Sequence, residues 1–251
     1  MAIWQDPRTT TDRSGGVNAA TIGVPTVARD AGLRSYMLSV YNYMASGVLL
    51  TGIVAMLFAP YAQDVLISAN GRGLSGLGWI VTLAPLAFVM IMSFGMNRIS
   101  TGTLQMLFWA FATVMGLSMS TVFIAYTGVS IAQTFFAVAA AFLSLSLYGY
   151  TTKRDLSGFG TFMIMGVVGL LVAMVINMFL KSPAMQLAIS AIGVLLFAGL
   201  TAYDTQKIKS MYAYVAGTDM MGKVVIMGAL NLYLDFVNMF TFLLQFMGDR
   251  R

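Results

Sequence analysis

The chain contains no cysteine, no histidine and no glutamate among its 251 residues. The lack of cysteine and histidine excludes disulfides, thiolate or imidazole metal ligands, and nucleophilic pairs that need a histidine base. Charged residues make up only 9% of the chain, against about 25% in a typical soluble domain. A side chain that titrates near neutral pH inside an apolar environment of this protein is therefore expected to be an aspartate.

Long uncharged stretches define the fold class. The chain is 59% hydrophobic, and a membrane-spanning helix needs about 20 consecutive apolar residues. Ile99–Thr152 is long enough for two spans with a turn at 126–130, and Val224–Gly248 is uncharged except for Asp235. The other charge-free stretches are Ser35–Ala59, Leu77–Asn97, Leu156–Leu180 and Ser182–Tyr203. We predict an all-α integral membrane protein with seven transmembrane helices, since a β-barrel would alternate over about ten residues.

Residues 1–34 are polar and lack the continuous apolar core of a signal peptide. We interpret them as a mobile cytoplasmic tail, followed by a single transmembrane domain over residues 35–251. The tail and the loops on its side carry ten Lys or Arg, and the opposite loops carry only Arg72 and Lys181. The positive-inside rule therefore places the N-terminus in the cytoplasm. A complete seventh span would put Arg250 and Arg251 outside, whereas a re-entrant segment would keep them inside.

The net charge of +5 is explained by a basic cytoplasmic face that meets anionic lipid. It requires no nucleic-acid partner. We therefore expect the lipid bilayer to be the principal surroundings of the chain, in a plasma or inner membrane.

The last predicted span carries one polar stripe. Its residues are spaced by 4, 3, 3 and 4 positions, which places them on one face of a helix: Asn231, Asp235, Asn238, Thr241 and Gln245. Lipid cannot satisfy such groups, so the stripe must face protein or water. We expect this helix to lie within the bundle.

Asp204 and Asp235 are the two ionisable groups inside predicted apolar segments, and such residues are candidate functional sites. Ser190, Gly193, Thr201 and Asp204 share one face of the sixth span. Two antiparallel helices can bring Asp204 and Asp235 to a similar depth. A close carboxyl pair is expected to share a proton at low pH and to become anionic as pH rises. It would suit a hard cation such as Ca²⁺, but only weakly and transiently, because two carboxylates are few ligands.

A purely structural role for these groups is the alternative. Asp204 could lie at a helix end and pair with Lys207 or Arg98. Asp235 could be a buried acceptor for Asn238 or for a backbone group. Arg98, directly after the second span, could close the pair electrostatically, or it could be an ordinary cytoplasmic loop charge.

Four segments of the chain resemble the transmembrane Bax inhibitor motif family. The two signature segments are Tyr203–Lys209, with the sequence YDTQKIK, and Ala229–Phe240, with the sequence ALNLYLDFVNMF. Leu147–Ser157 is similar to the loop between the fourth and fifth spans of that family, and Val40–Met44 to its first span. The resemblance covers about residues 30–248.

This resemblance implies six outer helices around a central seventh, and a pH-sensitive calcium leak in a bacterial inner membrane. It implies that the proton-sensing aspartates are Asp204 and Asp235. From their position on the same helix face, we expect the other stripe residues to line the surroundings of this pair. An arginine near the end of the second span is implied to latch the closed state. Arg98 is the candidate for that latch, with Asn97 in the alternative register. Bacterial relatives are also linked, as modulators, to a membrane-anchored protease.

Three other functions compete with a calcium leak. A non-conducting regulator of a membrane-anchored protease or another membrane partner is the main alternative. An intramembrane aspartyl protease is disfavoured, because Leu232-Tyr233-Leu234 precedes Asp235 where Gly-x-Gly is required. A secondary transporter is disfavoured by the lack of inverted repeats and broken helices. We therefore expect no enzymatic activity and no cofactor, with calcium as a permeant ion.

Overall fold

The computed structural model describes residues 26–68 and 73–251, and helices account for most of both ranges. The helices, in chain order, are α1 Thr26–Leu66, α2 Gly76–Gly95, α3 Thr101–Met119, α4 Thr121–Ala125, α5 Gly128–Thr151, α6 Ser157–Leu180, α7 Pro183–Val215 and α8 Met220–Met247. The short α4 continues α3, so that Thr101–Ala125 forms one span. Seven helical segments in the described part of the chain are long and apolar enough to cross a membrane, which confirms the predicted fold class.

Two helices are longer than the charge-free stretches indicated. Helix α1 has 41 residues and α7 has 33, which correspond to about 62 Å and 50 Å, against a hydrocarbon core of about 30 Å. Residues 26–34, which the sequence assigned to the tail, are helical, and residues 1–25 lie outside the described ranges. The start of α1 packs on the end of α7, where the Tyr36 hydroxyl donates to the Ile208 carbonyl at 3.2 Å.

Helix α8 is the most buried span. In its most apolar window 72% of the residues are buried, against 17–39% in the other six spans. It packs against α1, α3, α5 and α7, while α2 packs mainly on α3 and α6 on α7. On the polar stripe of α8, Asp235 is buried and the other four residues are half-buried.

The two ends of the bundle differ in charge. The connections α2–α3 and α5–α6 lie at one end, with Arg98, Lys153 and Arg154; we call this the basic end. The C-terminus lies at the opposite end, where Thr127 donates its amide to the Asp249 carbonyl at 3.1 Å. Helix α8 thus crosses the whole bundle, and Arg250 and Arg251 lie at the end opposite the basic end. This arrangement is the complete seventh span rather than the re-entrant segment.

Candidate functional site

Asp204 of α7 and Asp235 of α8 meet at the interface of these two helices. Their carboxyl groups are positioned as hydrogen-bond partners of each other. Asp235 is 4% exposed, and Asp204 is half-buried. The positive charge that acts on Asp204 comes from Lys207, less than one turn further along α7. The structure therefore brings together the two aspartates that the sequence singled out.

One oxygen of the Asp235 carboxyl group is unpaired among the described residues. Within the described ranges, its Oδ2 atom is buried and has no hydrogen-bond partner. A carboxylate only accepts hydrogen bonds, whereas a protonated carboxyl also donates one. The two carboxyl groups can therefore form a hydrogen bond with each other when they share one proton. With both ionised, they would repel each other and Oδ2 would remain unpaired.

Packing around Tyr233 fixes the orientation of α8 near Asp235. The Tyr233 hydroxyl lies 2.6 Å from Thr51 Oγ1, which donates to the Ala112 carbonyl at 2.8 Å. Its ring makes an edge contact with Phe111, at 5.1 Å between centroids. Tyr233 is fully buried. Tyr233, two residues before Asp235, thus links α8 to α1 and α3.

A chain of hydroxyl groups leads from α1 to the residue after Asp204. Tyr41 lies 2.7 Å from Ser146, and Ser146 lies 2.9 Å from Thr205. Thr205 donates to the Thr201 carbonyl at 2.8 Å, so the protons of this chain point from Tyr41 toward α7. The sequence analysis missed Tyr41 and Ser146, because nothing in the periodicity of α1 or α5 relates them to α7.

Two further layers lie along the α7–α8 interface toward the opposite end. Phe197 and Phe242 are each seven residues from an aspartate, or about 10.5 Å along their helices. Their rings stack at 5.9 Å between centroids with an interplanar angle of 21°. Gly193 lies directly against the Phe242 ring, where an added Cβ would come within 2.6 Å of it. The aromatic pair fills the interface between α7 and α8 on the side of the carboxyl pair that is farther from the basic end.

Beyond the aromatic pair, an amide network joins α6, α7 and α8. Asn177 Nδ2 donates to Gln186 Oε1 at 3.1 Å, and Gln186 Nε2 donates to Gln245 Oε1 at 2.8 Å. Ser190 Oγ lies 3.4 Å from the same Gln245 oxygen. Gln245 was predicted as a stripe residue, but its partners Asn177 and Gln186 were not identified. They belong to different helices, so helical periodicity gave no signal for them.

The remaining stripe residues have less defined roles. Asn231, Asn238 and Thr241 are half-buried, and Thr241 donates to the Val237 carbonyl of its own helix at 2.8 Å. Asp235 Oδ2 receives no hydrogen bond from Asn238 or from any other described residue.

Arg98 lies in the turn after α2, and its side chain is exposed. The charge that reaches Asp204 is that of Lys207 rather than that of Arg98. In the conformation described here, Arg98 therefore stands outside the carboxyl pair, and its role as a latch remains a prediction.

A carboxyl group outside the membrane-spanning segments provides a comparison. Asp155 lies in the α5–α6 loop, where hydrogen bonds from the Ser157 hydroxyl and then from its amide lower the pKa of Asp155. The amide nitrogen is 2.9 Å from Asp155 Oδ1. Asp155 therefore stays ionised throughout the neutral range.

The carboxyl pair is too small a ligand set for a tightly bound metal. No group of three or more potential metal-binding side chains occurs in the searched residues of the two described ranges. A stable calcium site needs six to eight oxygen ligands, and two carboxyl groups supply at most four.

Seven membrane-spanning helices with a carboxyl pair between the last two define a polytopic integral membrane protein. A family model described as "Inhibitor of apoptosis-promoting Bax1" matches residues 33–251. The chain is 47% identical over 223 residues to an uncharacterized protein of Rickettsia prowazekii, covering 88% of this chain and 92% of the relative. It is 46% identical over 224 residues to the inner membrane protein YbhL of Escherichia coli, covering 88% and 94%. The chain belongs to the Bax inhibitor family, which confirms the resemblance seen in the signature segments.

Proposed function

We propose that this protein is a pH-sensitive leak for calcium or related cations, gated by protonation of the pair Asp204 and Asp235. The observation that carries the proposal is a carboxyl pair of buried Asp235 and half-buried Asp204, in which Asp235 Oδ2 has no hydrogen-bond partner among the described residues. Such a pair is neutral or singly charged when protonated and doubly anionic when deprotonated. Protonation therefore changes both the attraction between α7 and α8 and the affinity for a cation.

The surrounding layers support a closed resting conformation. A cation that reaches the carboxyl pair from the basic end next meets the stacked rings of Phe197 and Phe242. It then meets the amide network around Gln245. Repulsion between two carboxylates would favour separation of α7 from α8, which carry the aromatic residues as well as the aspartates. We propose that this separation opens the path.

The proposed activity is passive transport and includes no catalytic step or bound cofactor. Leu232 and Tyr233, which precede Asp235, are fully buried. They stand in the segment where the signature of an aspartyl protease requires glycines that allow close backbone approach. Calcium enters the proposal as the transported ion.

We place the protein in a bacterial inner membrane with its N-terminus in the cytoplasm. The inner-membrane relative YbhL supports this location, and the distribution of Lys and Arg supports the orientation. The carboxyl pair would then face the cytoplasmic half of the membrane, where cytoplasmic pH acts on it through half-buried Asp204.

A non-conducting regulator of a membrane-anchored protease or another membrane partner is the second candidate. The closed aromatic pair favours it, because the layers described here leave no continuous polar path along α7 and α8.

Calcium entry into proteoliposomes separates the two candidates. The purified protein should raise calcium entry above that of empty vesicles, and the entry rate should change between about pH 5 and pH 8, a range that buried carboxyl groups can reach. A calcium ionophore shows that the vesicles are intact and the dye responds. Entry equal to that of empty vesicles at every pH would support the regulator.

A further inference from the structure

A long groove lies between α1 and α5 on the side of the bundle that faces the membrane. Its volume is about 740 Å³, within the range of about 300–1,000 Å³ found for ligand pockets. Along α1 it runs from Arg34 to Leu49, and along antiparallel α5 from Tyr150 to Phe135. Fifteen residues of helix correspond to about 22 Å. The groove is therefore parallel to the helices and longer than one leaflet of the hydrocarbon core, which is about 15 Å.

The groove reaches the interior of the bundle. Its floor includes Phe236 of α8, which is 5% exposed, and the side chains of Met44 and Phe142 are also buried. The Phe142 and Phe236 rings meet edge to face at 5.6 Å between centroids. The groove is thus a gap between two outer helices rather than a shallow depression on one helix.

Charge is confined to one end of the groove. Arg34 lines it at the basic end, and the rest of the lining is apolar or aromatic apart from the hydroxyl groups of Tyr41, Ser146 and Tyr150. Lys209 adds a second cation near this end, where its ammonium group donates to the Tyr150 carbonyl at 2.6 Å. The groove therefore combines an apolar slot with a basic entrance.

We propose that the groove binds one acyl chain of an anionic phospholipid from the leaflet at the basic end, with the phosphate beside Arg34. An apolar slot parallel to the bilayer normal matches an acyl chain, and a cation at headgroup depth matches a phosphate.

The groove contacts α8 directly and is linked to α7 through Ser146 of α5. Phe236 follows Asp235 directly on α8, and Ser146 in the groove wall lies 2.9 Å from Thr205, the residue after Asp204. A bound acyl chain would therefore press on α8 and on the hydroxyl chain beside α7. This binding site does not depend on the proposed calcium path, because its evidence is the shape and charge of the groove.

Photolabelling in nanodiscs tests the site. The protein is placed in phosphatidylcholine discs that contain a small fraction of phosphatidylglycerol with a diazirine in its acyl chain, and labelled residues are mapped after illumination. Labels are expected mainly on the groove faces of α1 and α5. Ala45→Phe, which fills the groove from α1, should lower this labelling by about tenfold, the effect of losing about two buried CH₂ groups. Ala139→Phe fills it from α5 and should do the same.

Two controls separate chain binding from headgroup binding. Ala141→Phe places the same ring at an exposed position of α5 outside the groove lining, and it should leave labelling unchanged. Arg34→Gln should lower labelling by phosphatidylglycerol by about fivefold, the effect of losing about 1 kcal/mol per basic residue near the surface. Equal labelling by phosphatidylcholine with the same photoreactive chain would contradict an anionic headgroup. Labels spread evenly over all outer helices, or unchanged in both groove-filling variants, would contradict the site itself.

Discussion

Gly149→Ala tests the packing that positions Asp204. Gly149 is buried on α5, and its Cα faces the backbone of Ala202, two residues before Asp204. An added Cβ would overlap the Ala202 carbonyl oxygen and would lie 2.9 Å from its carbon and 3.0 Å from its Cα atom. Real Cβ atoms do not approach backbone this closely, so α5 and α7 would have to separate.

Two opposing effects set the magnitude. Alanine in a helix interior is favoured over glycine by about 0.5–1 kcal/mol. Overpacking costs about 1–3 kcal/mol, and here the obstacle is backbone rather than a flexible side chain. The net loss in the free energy of unfolding is therefore about 0–2.5 kcal/mol. At about 2–4 °C per kcal/mol for a chain of this size, the melting temperature should fall by up to about 10 °C.

Gly169→Ala is the matched control, because it is the same substitution in the interior of α6. No heavy atom lies within 4 Å of its added Cβ, so only the gain in helix propensity remains. Its melting temperature should stay the same or rise by up to about 4 °C. Thermal unfolding of both variants in one detergent measures the difference. Equal melting temperatures would refute the close approach of α5 to α7.

Two further substitutions test the layers around the pair. Thr51→Val removes the partner of the buried Tyr233 hydroxyl and should destabilise the protein by about 0.6–1.7 kcal/mol, measured by thermal unfolding. Thr113→Val, which removes a hydrogen bond within α3, should cost less; an equal cost would argue against the Tyr233 network. Gln186→Leu removes both hydrogen bonds that link Gln186 to Asn177 and Gln245, and should raise calcium entry into proteoliposomes. Unchanged entry would show that the amide network does not close the path.

Sequence alone predicted the spans well, because charge is costly in hydrocarbon and its absence marks each crossing. The turn expected at 126–130 matches the break between α4 and α5. The ends of α1 and α7 were not predicted, because both helices continue past the membrane into polar sequence. There they are held together by Tyr36, whose ring lies 5.3 Å from that of Tyr212.

The candidate site was predicted only in part. Asp235 and Gln245 were found because the stripe lies on one helix, where a period of 3.6 residues relates its members. Tyr41 and Gln186 were missed, because their partners lie on other helices and hydrophobic periodicity does not encode the register between helices. The position of Arg98 depends on the turn after α2, which periodicity does not describe either.

The central claim is that protonation of the pair Asp204 and Asp235 controls calcium passage. Two interacting carboxyl groups lose their protons in two coupled steps, whereas a single carboxyl group has one transition. Asp204→Asn and Asp235→Asn each remove the repulsion between the two groups. Asp155→Asn removes a loop carboxyl group whose pKa is lowered by Ser157, and it serves as the control.

The most direct measurement is calcium entry into proteoliposomes between about pH 5 and pH 8, with the wild type and these three variants side by side. We expect both pair variants to shift the midpoint toward acid, by about one pH unit for coupling of that size, or to flatten the response. Asp155→Asn should keep the wild-type midpoint. If Asp204→Asn and Asp235→Asn also keep it, the pair does not control calcium passage.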